Sequence, residues 1–302
     1  MSLKAESSDR RTVFQAIGIL LLAITCFDVM AVFVRILLAN YSAQELSAYR
    51  NVIGIIPSII LLLYTRELSL NFSSLFITQW RLALLRGVSV AIAQLCYYSA
   101  IGVLDLATVS TLGQTNAFFV VILSVIIMGE KVGIWRWVAL GLGFIGAVMV
   151  IRPGTSEFSI YAFLPVCAAF LYGLSIATLP KFDRNISNGL LYLYSSVGAG
   201  AGAIILAILM VDFTPIASVK DMVLIFVMSI TGGVGVLFMM IAYRMAPASV
   251  LSPFVYFGIL TAFMFGWLAF GEFPIDTLFP GVLLIVGAGI LIIWRENRIK
   301  DN

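Results

Sequence analysis

The chain has 302 residues, 62% of them hydrophobic and only 11% charged. A soluble domain carries about 25% charged residues, so this composition excludes a water-soluble globular protein and points to an integral membrane protein. The net charge is only +3, and the basic residues are dispersed near segment ends, so no nucleic-acid partner is expected.

The N-terminus MSLKAESSDRR is polar, and the apolar block after it is too long for a cleaved leader, so it reads as a retained first span. Counting apolar runs of about 20 residues gives ten spans in chain order. They are Phe14–Leu38, Glu45–Tyr64, Ala83–Gly102, Ala107–Met128, Trp135–Ile151, Phe158–Leu179, Asn188–Met210, Asp221–Tyr243, Ala248–Phe270 and Asp276–Trp294. The runs are continuous, without the alternation of a β-barrel, so the class is all-α. If the N-terminus is cytoplasmic, Lys4, Arg10, Arg11, Arg66, Arg81, Arg86, Lys131, Arg136, Lys181, Arg184, Arg244, Arg295, Arg298 and Lys300 fall on that side. Only Arg152 and Lys220 fall on the other. This asymmetry predicts cytoplasmic termini.

The fourth span closes on Gly129-Glu130 and the ninth on Gly271-Glu272, which sets an offset of 142 residues. At that offset Ala100 meets Ala242 and Ser110 meets Ser252. Residues 1–152 and 153–302 then form two halves of five spans each. Five is odd, so the second half enters the membrane from the opposite face, and the repeat is inverted. Secondary transporters recur to this plan, with the substrate site at the repeat interface.

Ten spans in two halves, the paired Gly-Glu closures and Arg50 in ELSAYRNVIG resemble the drug/metabolite transporter superfamily of the EamA-like type. Within it the pattern is most similar to the YddG-type amino-acid exporters. One departure is Thr111, where many members carry proline; the ninth span keeps Pro253. The resemblance implies a ten-helix fold with a central cavity, working as a single subunit in the cell membrane (the inner membrane of a bacterium). It implies export of amino acids or similar small metabolites, aromatic and neutral ones included, by alternating access. A drug or other metabolite exporter is the alternative.

Helical spacing supplies the candidate cavity residues. Gln94, Tyr97 and Tyr98 share a face of the third span. Met239 and Tyr243 mark the eighth span, and Tyr172 the sixth. The fourth span offers Thr108, Thr111, Gln114 and Thr115, and the ninth Ser252, Pro253 and Tyr256. In an uninterrupted helix Gln114 and Asn116 point about 160° apart, which assigns Gln114 to the cavity and Asn116 to packing. Asp28 lies midway along the first span, where a carboxylate is costly. It reads as a site for a proton or an amine, or as a structural partner of Arg35. Arg50, one turn from Glu45, reads as its structural ion-pair partner or as a snorkelling arginine ahead of a substrate anchor. Glu130 and Glu272 read as gate elements at opposite faces, with Pro253 as a hinge.

Other chemistries find little support. There is no histidine, which removes the commonest general base. No GK[ST] phosphate loop appears, and Cys26, Cys96 and Cys167 stand singly. No enzyme activity, cofactor or metal is expected.

Overall fold

The computed structural model describes residues 2–65, 77–128, 134–151, 159–183, 185–246, 251 and 254–300. Among these the only regular structure is helical. The helices are α1 (Ser2–Leu37), α2 (Ala43–Ile53), α3 (Ile56–Tyr64), α4 (Trp80–Ile101), α5 (Leu106–Gly113), α6 (Asn116–Met128) and α7 (Ile134–Ile151). The second half continues with α8 (Phe163–Ala177), α9 (Asn188–Met210), α10 (Val219–Met245), α11 (Phe257–Phe270), α12 (Ile275–Leu278) and α13 (Gly281–Lys300).

Seven helical stretches are long and apolar enough to cross a membrane. They coincide with the first four and the sixth to eighth expected spans. The expected fifth, ninth and tenth positions hold α7, α11 and α13; the described apolar stretches Gly141–Ile151 and Phe257–Phe270 are shorter.

Two of the long stretches are broken, each for a local reason. Between α2 and α3 the chain turns at Gly54-Ile55. Pro57 follows and has no N–H to continue the ladder, and the Ser58 hydroxyl donates to the Ile55 carbonyl at 2.7 Å. Between α5 and α6 the turn is Gln114-Thr115. There the Thr115 hydroxyl donates to the Leu112 carbonyl at 2.6 Å, competing with the backbone bond a helix would make. The ladder tightens: Thr115 N–H donates to Leu112 O at 3.1 Å and Ala117 N–H to Gln114 O at 3.1 Å.

Glycines set the closest crossings. A Cβ on Gly87 of α4 would lie 2.6 Å from the Ala199 nitrogen of α9. One on Gly198 would lie 2.9 Å from the Leu84 Cα. Gly146 of α7 and Gly281 of α13 oppose each other in the same way, each facing the other's carbonyl. Without a hydrophobic drive between helices in lipid, such close approach supplies the packing. The major neighbours are α1 with α10, α4 with α8 and α9, α7 with α13, α6 with α8, and α2 with α9.

Candidate functional site

A cavity of about 250 Å3 lies between these helices. It is framed by α1, α2, α4, α8, α9 and α10 and by the turn between α5 and α6. Of the residues expected from sequence, Asp28, Gln94, Tyr97, Gln114, Tyr172, Met239 and Tyr243 line it. Tyr98, Thr111, Thr115 and Tyr256 are buried elsewhere. The Tyr98 hydroxyl meets the Met30 sulfur at 3.4 Å, and Tyr256 sits in an apolar cluster with Leu112 and Phe118. The hydroxyls of Thr108, Thr111 and Tyr256 have no partner among the described residues. Glu130, Ser252 and Pro253 lie outside the described residues.

Asn116 also lines the cavity, together with Gln114. The assignment of Asn116 to packing assumed an uninterrupted helix. The turn at Gln114-Thr115 removes that premise and brings both amides to one wall.

Arg50 is the larger surprise. It is 4% exposed and does not pair with Glu45. The Glu45 carboxylate is occupied by the Ser42 N–H and hydroxyl, both at 2.7 Å, and by the Thr214 N–H. That capping box starts α2 and ties down the strap leading to α10. Arg50 instead donates to Asn51 Oδ1 and to the Gly232 carbonyl, each at 2.9 Å. Asn51 donates in turn to Gln94 Oε1 at 2.6 Å. The guanidinium is thus held by neutral groups from α2 and α10, lines the cavity, and keeps its Nε–H unpartnered. An intramembrane arginine is the signal that could have marked it.

Asp28 faces the same space and accepts a hydrogen bond from the Thr261 hydroxyl of α11. Arg35 does not pair with it. Arg35 pairs with Glu272 at 2.6 Å, donates to the Leu104 carbonyl at 2.7 Å, and lies 5.2 Å from the centre of the Phe270 ring.

Glu272 owes its place to the glycine before it. Gly271 adopts φ 69°, the left-handed conformation that ends a helix without a Cβ penalty. Its N–H reaches the Trp267 carbonyl at 3.0 Å, and Glu272 N–H the Gly266 carbonyl at 3.3 Å. The reversed chain carries the carboxylate to the start of α5, where it accepts from Leu106 N–H at 2.9 Å. Burial pushes this carboxyl above its ordinary range; Leu106 N–H and Arg35 oppose the shift. Around this latch the ends of α1, α2, α4, α5 and α10 pack Val34, Leu37, Leu46, Ile101, Leu106 and Met228 into one apolar plug. At the other end the cavity lining reaches Leu179, just beyond α8, and Tyr243, in the last turn of α10. None of the six plug residues lines the cavity.

The profile of the EamA-like transporter family matches residues 15–152. That half of the chain is similar to an EamA-like transporter domain. Relatives extend the match. The pseudopaline exporter CntI of Pseudomonas aeruginosa is 27% identical over 279 residues, covering 91% of this chain and 95% of that protein. The riboflavin transporter of Brucella anthropi is 29% identical over 198 residues, 63% of this chain and 68% of its own. An S-adenosylmethionine uptake transporter of Rickettsia prowazekii is 24% identical over 219 residues, 72% of this chain and 73% of its own. One solved crystal structure shares the fold at TM-score 0.67 and 16% identity, over 94% of this chain and 98% of that one. The chain is thus similar to small-molecule transporters of the EamA-like type, and its long apolar helices fit a multi-pass membrane protein.

Proposed function

We propose that this EamA-like transporter exports amino acids or closely similar zwitterions by alternating access, as the YddG-type exporters do. The observation that carries the reading is the pairing of a partly unpartnered guanidinium, Arg50, with a carboxylate, Asp28, in one cavity. A guanidinium fork binds a carboxylate by charge-assisted bonds, and Asp28 answers an ammonium group. Tyr97, Tyr172, Met239 and Met240 supply an adaptable wall for varied side chains. The volume of about 250 Å3 falls just below the usual range of drug-sized pockets, which favours a small metabolite over a bulky drug.

Two related halves are a recurring plan for alternating access, and the cavity lining supports them here. At the offset of 142 residues, Phe27 and Ala169, Met30 and Tyr172, Arg50 and Tyr192, Gln94 and Val236, Tyr97 and Met239, Gly113 and Val255, and Asn116 and Gly258 all line it in pairs. The hydrogen bond from Ala117 N–H to Gln114 O at 3.1 Å has its counterpart from Ile259 N–H to Tyr256 O at 3.0 Å. These matches support two related halves, residues 1–152 and 153–302, and the Lys/Arg asymmetry supports cytoplasmic termini. On that plan the Glu272 end is the outer face and the cavity belongs to the inward state. The repeat gives Glu130 the equivalent task in the outward state, with Pro253 at the hinge.

Counterflow of labelled amino acids in proteoliposomes tests the reading: saturable exchange is expected, and no exchange with any amino acid refutes it. Arg50→Gln should cut exchange at least tenfold, because losing a charged hydrogen-bond partner costs about 1.5–3 kcal/mol. Unchanged exchange in that variant would remove Arg50 from the site. The second reading, proton-driven export of another metabolite, draws on Asp28, whose hydrogen-bond partner is a neutral hydroxyl. It predicts that a pH gradient drives uphill transport and that Asp28→Asn abolishes the drive.

A further inference from the structure

We propose that Arg86 forms a second anion subsite in the cavity, so that the preferred cargo is an amino-acid-type zwitterion bearing a further acidic group. The inference rests on the zwitterion reading above and narrows its substrate class.

Arg86 stands on α4, eight residues before Gln94, and lines the same cavity. Its Nε–H donates to the Ser175 carbonyl of α8 at 2.8 Å, and its Nη1–H to the Ser195 hydroxyl of α9 at 2.9 Å. Both acceptors are neutral. The one ion pair among the described residues joins Arg35 to Glu272, so neither Arg50 nor Arg86 has a protein carboxylate there. A guanidinium has five N–H groups in a rigid fork, and two contacts to Arg86 leave the others without a protein acceptor among the described residues.

The lining therefore holds two guanidiniums, Arg50 and Arg86, against one carboxylate, Asp28. Taking an ion out of water is costly unless counter-charge and hydrogen bonds offset it. A cargo with two anionic groups and one cationic group supplies the missing charge. Arg50 takes the α-carboxylate, Asp28 the ammonium group and Arg86 the distal acid. Spacing agrees with this division. Gln94 is one bond from Asn51, which holds Arg50, and the eight residues from Arg86 to Gln94 rise roughly 12 Å along the helix. The two arginines are thus anchored at different depths of one cavity, which suits a cargo that carries its two acids at opposite ends. Ser195 and Ser175 fix the Arg86 fork from two neighbouring helices, so it is pre-oriented and not a loose basic group at a span end.

Competition in counterflow decides the matter. The probes are L-2-aminoadipate and its uncharged isostere L-homoglutamine, set against the labelled amino acid that exchanges fastest. In the native protein the acid should compete at least tenfold better than the amide, equivalent to about 1.4 kcal/mol. In Arg86→Gln the ratio should fall to about one, and Arg86→Lys, which keeps the charge, should retain part of the preference. A merely structural role would lower both probes together and leave the ratio unchanged. A native ratio of one or less overturns the proposal, as does a ratio that survives in Arg86→Gln. If Arg86→Gln does not fold, the native ratio and that of Arg86→Lys decide it. Equal competition by acid and amide would sink the second subsite while leaving the zwitterion reading intact; absence of exchange with every amino acid would sink both.

Discussion

On the proposed reading, charged residues inside the membrane select the cargo, and sequence neighbours were a poor guide to their partners. Glu45 is one turn from Arg50, yet it caps α2 and the strap at Thr214. Arg35 is two turns from Asp28, yet it reaches Glu272 at 2.6 Å across the fold. In each case the sequence showed that a buried charge needs an answer; which group supplied it depended on tertiary packing. Glu272 was singled out from sequence because Gly-Glu closes two spans, and the left-handed Gly271 shows how its carboxylate is placed. The latch joins Arg35, Glu272 and the α5 N-terminus, so removing the charge should favour the outward state. A thiol placed at Asn116 in a cysteine-free background reads this from outside. Glu272→Gln should raise its labelling rate about fivefold or more, within the usual range for a coupled switch. An unchanged rate would dismiss the latch as a gate.

At the scale of elements, helix identity was legible and helix continuity was not. Long apolar runs located the spans, but periodicity was extended across Gly113 as if the helix were straight. The Thr115 hydroxyl bond to Leu112 breaks it, and Asn116 turns inward as a result. Glycine had a clearer message, since small residues in apolar spans mark close helix contacts. The α4–α9 crossing makes that quantitative. A methyl group at Gly87 or Gly198 would overlap the opposing backbone, and backbone cannot rotate away as a side chain can. Gly87→Ala and Gly198→Ala should each cost about 1–3 kcal/mol, the range for overpacking. The expected reading is a clear fall in the melting temperature of the detergent-solubilised protein. Gly141, whose Cβ would meet nothing within 4 Å, is the control, and equal effects at all three positions would contradict the packing argument.

Across the whole molecule, the proposed repeat, too faint to align by identity, draws its support from matched cavity positions. Tyr97 and Met239, or Arg50 and Tyr192, share no chemistry but share a place. On the proposed repeat, symmetry conserves position while the residues diverge, which gives one cavity two unlike walls. The charge on those walls has an energetic consequence. Arg50, Arg86 and Asp28 are fixed to the protein, so a cargo with two acids and one amine crosses as a net anion with no compensating mobile ion. A membrane that is negative inside then pushes the cargo outward, by about 2.3 kcal/mol per charge for each 100 mV. Efflux of L-2-aminoadipate from liposomes should accelerate when a potassium diffusion potential makes the lumen on the cytoplasmic side negative, and slow when the sign is reversed. Insensitivity to voltage would mean that a counter-ion travels too. With the proposed cargo, the uneven count of charges around one small cavity would turn the membrane potential into the force that sets the direction of transport.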